Sequence, residues 1–240
     1  MNIGATGRVA AVVLAGGAGT RFGADVCKVY VPLGGRPILA YSLDVMEASD
    51  RIDDVVVVIR PEDRPTYDQV AADVGASKVR AVVAGGATRQ ASEWAGIQAV
   101  RDRCPGALVV VVHDGARPLL TSQLIARLVQ TSQQHASGAL PARPLAAGLV
   151  AASGAPRPGG DLVAVETPQV FPLAVLLAVY PMAMAEGVEG IDTAQTVQSY
   201  SGLPIRWVPA GPPNPKITHP QDLPAVEALL PAWERPDARG

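Results

Sequence analysis

Apolar runs recur along the chain at positions 9–14, 55–59, 79–84 and 108–112, the last of them unbroken. Runs of this length without strict polar alternation suit parallel strands covered on both faces. Between them the spacing predicts helices at 37–48 with a proline in the first turn, at about 63–74, at 88–103, and at 121–135 opening on a Thr cap. Strand and helix alternating in this way predict an α/β fold, a Rossmann-like wound and mostly parallel sheet. Ligands of such sheets bind beyond the carboxyl ends of the strands.

The alternation breaks at 140–161, where Pro141, Pro144, Pro156, Pro158, Gly154, Gly159 and Gly160 accumulate. This stretch reads as an insertion, either a flexible one or an arm that reaches another subunit. The pattern resumes with a strand at 162–165, helices at about 173–186 and 193–200, a strand at 205–208 and a closing helix after Pro220. One domain spanning 1–230 is expected, with a frayed tail from Trp233 onward and a flexible end at 231–240.

The first apolar run leads into Leu14-Ala15-Gly16-Gly17-Ala18-Gly19-Thr20-Arg21-Phe22-Gly23, closed by Lys28. Glycines here let backbone N–H groups approach a ligand with no Cβ in the way, and Arg21 and Lys28 add two cations. The run reads as a phosphate cradle for a nucleoside triphosphate, or as an ordinary glycine-rich turn. It is not the dinucleotide fingerprint, whose glycine spacing is one residue shorter, and no Gly-Lys-Ser/Thr tripeptide of a P-loop occurs.

Composition narrows the choice. The 20 basic residues include only three lysines, Lys28, Lys78 and Lys216, so a retained lysine suggests a need for a compact point charge. Net charge is −2 with the signs dispersed, which gives nucleic acid no basic stripe to follow. Cys27 and Cys104 lack C-x-x-C spacing, and with His113, His135 and His219 they make no zinc pattern. A reduced, cytoplasmic compartment fits these cysteines. Met1 to Arg8 lacks the blocks of a signal peptide, and no apolar run approaches the roughly 20 residues of a membrane span. At 240 residues and 48% hydrophobic, the chain can bury a full core.

More chemistry lies at strand ends. His113-Asp114-Gly115-Ala116-Arg117-Pro118 follows the run at 108–112. Its Asp114 suits Mg²⁺ or a ribose hydroxyl and its Arg117 a phosphate, or the pair forms an ordinary Asp–Arg turn. His113 reads as a packed, hydrogen-bonded residue rather than a base. Gly85-Gly86-Ala87-Thr88-Arg89, with Ser92 one turn later, ends another strand; Thr167-Pro168-Gln169 and Asp192 follow later in the chain.

Taken in order, these motifs resemble the 2-C-methyl-D-erythritol 4-phosphate cytidylyltransferases and their relatives that make CDP-ribitol. The resemblance rests on the glycine loop with Arg21 and Lys28, Gly85-Gly86-x-x-Arg89-x-x-Ser92, His113-Asp114-x-x-Arg117-Pro118, Thr167-Pro168-Gln169, Asp192, and Asn214-x-Lys216-Ile217-Thr218. It implies the nucleotide-diphospho-sugar transferase type of fold, CTP and a phosphorylated acceptor as partners, Mg²⁺ as cofactor, and a homodimer that exchanges the arm. By the same resemblance Arg21, Lys28 and Lys216 are catalytic. Leu14, Ala15, Gly16, Gly17, Gly19, Gly86, Arg89, Ser92, Asp114 and Gly115 bind nucleotide, with Asp114 meeting the metal through the phosphates. Arg117, Thr167, Asp192 and Arg157 face the acceptor.

The chain departs from the family pattern at Cys27, where proline is usual, and at Ala87-Thr88, where an acidic pair is usual. The arm lacks the family's Asp-Thr and Lys, and Gly159 stands where an Arg is usual. Three readings follow: a methylerythritol phosphate cytidylyltransferase with Arg143 or Arg157 replacing the missing contacts, the same chemistry on another polyol phosphate or a phosphonate, or a non-catalytic nucleotide binder.

Overall fold

The computed structural model describes residues 7–17, 22, 27–145 and 162–233. In chain order its elements begin with β1 (Arg8–Leu14), a short hairpin of β2 (Pro32–Leu33) and β3 (Arg36–Pro37), α1 (Ile38–Ala48), β4 (Asp54–Ile59), α2 (Arg64–Val74) and β5 (Val79–Ala84). There follow α3 (Arg89–Arg103), β6 (Ala107–Asp114), α4 (Ser122–His135), β7 (Gly138–Pro144), β8 (Val163–Val165) and β9 (Gln169–Pro172). The chain closes with α5 (Leu173–Glu186), α6 (Thr193–Tyr200), β10 (Ile205–Pro209), α7 (Leu223–Glu227) and α8 (Leu230–Trp233).

The main sheet runs β10-β7-β9-β6-β1-β4-β5, with β8 added beside β7. All pairings are parallel except those of β9 and β8, which run against their neighbours. Because β4 lies on one side of β1 and β6 on the other, the winding reverses at β1, and a crevice opens there at the carboxyl ends. Register brings Leu14, Val58 and Asp114 to one level at that end.

Both faces of the central strands are buried, which explains their apolar composition. Val9, Ala11 and Val13 of β1, with Val57 and Val111, pack under Leu43, Tyr67 and Leu128 of α1, α2 and α4. Ala10 and Val12, with Val58 and Val112, pack under Ile97 of α3 and Val179 of α5. Gly96 lets α3 lie close, since a Cβ there would sit 2.4 Å from Val12 Cγ1. The predicted cap of α4 is present, Thr121 Oγ1 accepting from Leu124 N at 3.2 Å, and Thr88, expected inside α3, caps that helix by accepting from Ala91 N at 3.1 Å.

Three expectations change. The beginning of the expected arm is sheet, because β7 takes residues up to Pro144 and buries Leu140 and Ala142. Pro141 is tolerated where the partner of β7 passes from β9 to β8 and offers only its carbonyl, to Glu166 N at 3.0 Å, and Pro144 is the last residue of the strand. The remainder of the arm, 146–161, lies outside the described residues. Trp233 is no part of a frayed tail: it is 5% exposed, its Nε1 donates to Leu120 O at 2.8 Å, and its ring meets Tyr41 edge-on at 5.6 Å. The antiparallel β9 went unpredicted, being four residues long and ending in proline.

Candidate active site

A cavity of about 530 Å³ opens over the carboxyl ends of β1, β4, β5 and β6. Its floor is Leu14, Gly16 and Gly17, and its walls carry Lys28, Arg60, Arg89 and Lys216 against Glu62 and Asp114. Four cations lining one cavity suit a polyanion, although Arg60 is also paired with Asp63 and Arg89 with Glu93, neither of which lines the cavity.

Gly16 is held against the next strand, where a Cβ would come within 3.3 Å of the Ile59 carbonyl carbon. Ala15 N donates to Val58 O at 2.7 Å, and Ala15 is buried below the floor rather than lining the cavity. Cys27 Sγ donates to Gly17 O at 3.2 Å and to Ala15 O at 3.4 Å, which fastens the start of the glycine loop to the turn carrying Lys28. Burial raises the thiol's pKa and keeps it a donor.

The second glycine pair closes on α3. A Cβ on Gly86 would sit 2.4 Å from Ala91 Cβ, so only glycine permits this approach. Ser92 Oγ accepts from Gly86 N at 3.1 Å and donates to Thr88 O at 2.9 Å, stapling the loop to the first turn.

Asp114, the last residue of β6, is the electrostatic centre. Oδ1 accepts from Arg89 Nη2 at 3.2 Å and Oδ2 from Lys216 Nζ at 2.8 Å. Burial alone would raise its pKa, but the charges of Arg89 and Lys216 outweigh it and hold the carboxyl well below the usual carboxylate range. Its own N–H donates to Thr167 Oγ1 at 3.1 Å, and that hydroxyl lies 3.4 Å from His113 Nδ1. His113 Nε2 lies 3.2 Å from Ser42 Oγ and from Arg117 O. Burial pushes the imidazole down to about 4. It is therefore neutral near pH 7 and props the backbone of Asp114.

Lys216 reaches this centre because its segment is sewn to the residues after β6. Ile217 N donates to Ala116 O at 2.9 Å, Leu119 N to Asn214 Oδ1 at 2.8 Å, and Arg117 Nη1 to Asn214 O at 2.9 Å. Arg117 thus works behind the cavity and does not line it. Gly115 is likewise behind, its N–H on Leu14 O at 2.9 Å. Asp192 and Thr167 also lie off the cavity wall. Asp192 caps α6 through Gln195 N at 2.8 Å and accepts from Gln169 Nε2 at 2.9 Å.

Arg143 commits three of its five N–H donors: Nε donates to Glu166 Oε1 at 2.7 Å, Nη1 to Gly211 O at 2.8 Å and Nη2 to Pro212 O at 2.7 Å. It ties β7 to Glu166 and to the segment after β10. Gly19, Arg21 and Arg157 lie outside the described residues.

Two charged lining residues escaped the sequence reading, Arg60 and Glu62. Arg60 immediately follows β4, so the strand-end rule that found Asp114 would have found it too. It grips Asp63 with two bonds of 2.7 Å.

A wound sheet with a cation-lined, glycine-floored cavity at its switch point defines an α/β nucleotide-binding protein of the nucleotidyltransferase kind. The family model of the 2-C-methyl-D-erythritol 4-phosphate cytidylyltransferases, IspD, matches residues 9–232. The enzyme of that name from Geotalea uraniireducens is 38% identical over 93% of this chain and 97% of its own length. A bifunctional IspD/IspF enzyme of Desulforudis audaxviator is 36% identical over 92% of this chain, which spans 56% of that longer protein. The crystal structure of the Thermus thermophilus cytidylyltransferase superposes with a TM-score of 0.71 at 31% identity, covering 92% of this chain and 98% of that one. The chain belongs to the IspD family of CTP-dependent cytidylyltransferases. Among the described residues no helix is long and apolar enough to cross a membrane.

Proposed function

We propose that the protein transfers CMP from CTP to 2-C-methyl-D-erythritol 4-phosphate and releases pyrophosphate. The observation that carries the cytidylyl transfer is the convergence of Lys216, Asp114 and Arg89 over the glycine floor, and relatives named for methylerythritol phosphate support that acceptor. An oxygen of the acceptor's phosphate attacks the α-phosphorus of CTP and forms a new P–O bond. The bond to the bridging oxygen breaks, and its electron pair leaves with pyrophosphate.

The attacking phosphate is ionised at neutral pH, so no general base is required, and His113 supplies none. What the transfer needs is positioning and compensation of charge on the phosphates. Lys28 and Lys216, which both line the cavity, provide two cations, and Arg21 of the glycine loop adds a third. On nucleotide binding Lys216 exchanges its Asp114 carboxylate for a phosphate oxygen, while Arg89 keeps Asp114 paired.

Mg²⁺ fits as an ion carried by the nucleotide. No group of three or more metal-ligating side chains occurs among the described residues, and one carboxylate plus substrate phosphates is an ordinary Mg²⁺ donor set. Asp114 would hold it, and the ion would neutralise phosphate charge.

A second reading keeps the chemistry and changes the acceptor, to ribitol 5-phosphate, another polyol phosphate or a phosphonate. The commitment of three Arg143 N–H groups to Glu166, Gly211 and Pro212 favours it, since less of that side chain is left to replace the arm's missing phosphate contacts. Pyrophosphate release from CTP and Mg²⁺ across this acceptor panel decides. Turnover with methylerythritol phosphate alone supports the first reading, and turnover with a different acceptor alone replaces it with the second. CTP binding without turnover on any acceptor counts against both.

A further inference from the structure

Behind the cavity wall lies a carboxylate that does not line it. Glu93 stands one helical turn after Arg89 on α3, and its side chain is 1% exposed. Oε1 accepts from Arg89 Nη1 at 2.5 Å and from Thr193 Oγ1 at 2.6 Å, and Oε2 accepts from Tyr180 OH at 2.8 Å. The donors come from α3, α6 and α5, and the Tyr180 ring is stacked on Trp94 at 6.0 Å. Around them are apolar residues of the core, Ile97 and Val179 among them.

Stability does not account for a charge in this place. Taking an ion pair out of water costs several kcal/mol per ion, and apolar residues of similar volume are often as stable or more so. Burial raises the pKa of Glu93, while the Arg89 charge and the Thr193 and Tyr180 hydroxyls oppose the rise.

What the carboxylate does achieve is orientation. The guanidinium is a rigid planar fork, and here one of its nitrogens is fixed on Glu93 while the other reaches Asp114 in the cavity. Charges alternate from Glu93 through Arg89 and Asp114 to Lys216. With the Glu93 end removed, Arg89 is left with a single anchor and its side-chain rotamers open. Charge alone argues the other way, because an anion close to a polyphosphate site repels the ligand.

We infer that Glu93, braced by Tyr180 and Thr193, is a positioning residue that fixes the Arg89 guanidinium for nucleotide binding. This rests on the nucleotide site proposed above. Calorimetric titration of CTP into the wild-type chain, Glu93→Leu, Glu93→Gln, Thr193→Val, Arg89→Leu and Glu93→Leu/Arg89→Leu tests it, with a thermal melt of each.

Loss of one charge-assisted anchor is expected to weaken CTP about tenfold in Glu93→Leu and at least about fivefold in Glu93→Gln. Thr193→Val is expected to weaken it about twofold to threefold. In the Arg89→Leu background the Glu93 substitution is expected to change the dissociation constant by less than about twofold, because it acts through Arg89. CTP binding as tight as wild type or tighter in Glu93→Gln overturns the inference and leaves Glu93 a mere negative charge. Additive losses in the double variant overturn it as well. If Glu93→Leu fails to fold, Glu93→Gln and Thr193→Val carry the comparison. A wild-type chain that binds no CTP overturns the nucleotide site and this inference with it.

Discussion

Replacing Lys216 by methionine removes one positive charge while keeping the length and apolar bulk of the stem. The ammonium sits 2.8 Å from Asp114 Oδ2 and its side chain is 35% exposed, so it is partly solvated and held by one strong contact. Two magnitudes follow. In the folded protein Asp114 keeps Arg89 at 3.2 Å, so its charge is not stranded. The stability loss is then expected at about 1–2 kcal/mol, below the 3–5 kcal/mol of a fully broken buried pair. For a chain of this size that lowers Tm by roughly 2–8 °C, and the protein remains folded at assay temperature. In the transfer step, a preorganised group aimed at developing charge is worth about 10²–10³ in kcat. The assay is steady-state pyrophosphate release with CTP and methylerythritol phosphate, paired with a thermal melt. A folded Lys216→Met protein with kcat within threefold of wild type would refute the role given to Lys216. A Tm loss far beyond 10 °C would refute the energetic argument, because Lys216 would then be holding the fold.

Other substitutions probe other parts of the account. His113 is buried with its pKa lowered to about 4, so the unfolded chain binds the extra proton first and stability falls as pH drops from about 6.5 toward 4. At pH 5 this amounts to about 2 kcal/mol, and denaturant melts at pH 7 and pH 5 should show a smaller loss in His113→Asn than in wild type. Asp114 has the opposite sign: its lowered pKa contributes stability that is complete above about pH 5 and fades as pH falls through the folded value. The stability gap between wild type and Asp114→Asn should therefore be flat from pH 5 to 8 and close on further acidification, as measured by the same melts. Gly96→Ala places a methyl 2.4 Å from Val12 Cγ1, and overpacking of this kind costs about 1–3 kcal/mol. Its melt should drop while its KM for CTP stays within about twofold, because Gly96 lies beneath the sheet and not in the cavity.

How far the sequence led differs from element to element. The strands β1, β4 and β6 were legible because burial on both faces leaves an apolar run, the half-buried edge strand β5 because it is apolar apart from Arg80, and α4 because its Thr cap precedes it. β7 was hidden by Pro141 and Pro144, residues that usually mark a loop; here Pro141 falls at a change of strand partner and Pro144 ends the strand. Trp233 looked like tail because nothing local shows that a closing helix folds back onto Tyr41 and Leu120. In the site, the strand-end rule located Asp114, Gly86 and the glycine floor. It could not say that Lys216, 102 residues later, lands on Asp114, since the Asn214 and Ile217 backbone ties that deliver it are tertiary. Nor could it separate Asp192 as a helix cap from Asp192 as a ligand contact. Glu93 was invisible for a different reason: a Glu four residues after an Arg normally marks a solvent-exposed helix face, and here it lies in the core.

The most direct measurement is pyrophosphate release with methylerythritol phosphate and Mg²⁺ when CTP, ATP, GTP or UTP is supplied as the only nucleotide. Turnover with CTP at least about a hundredfold above the other three is the expected result, since a site built around one base rejects those that leave its polar groups unpaired. Equal release from all four nucleotides, or none from CTP while CTP still binds, would contradict the account.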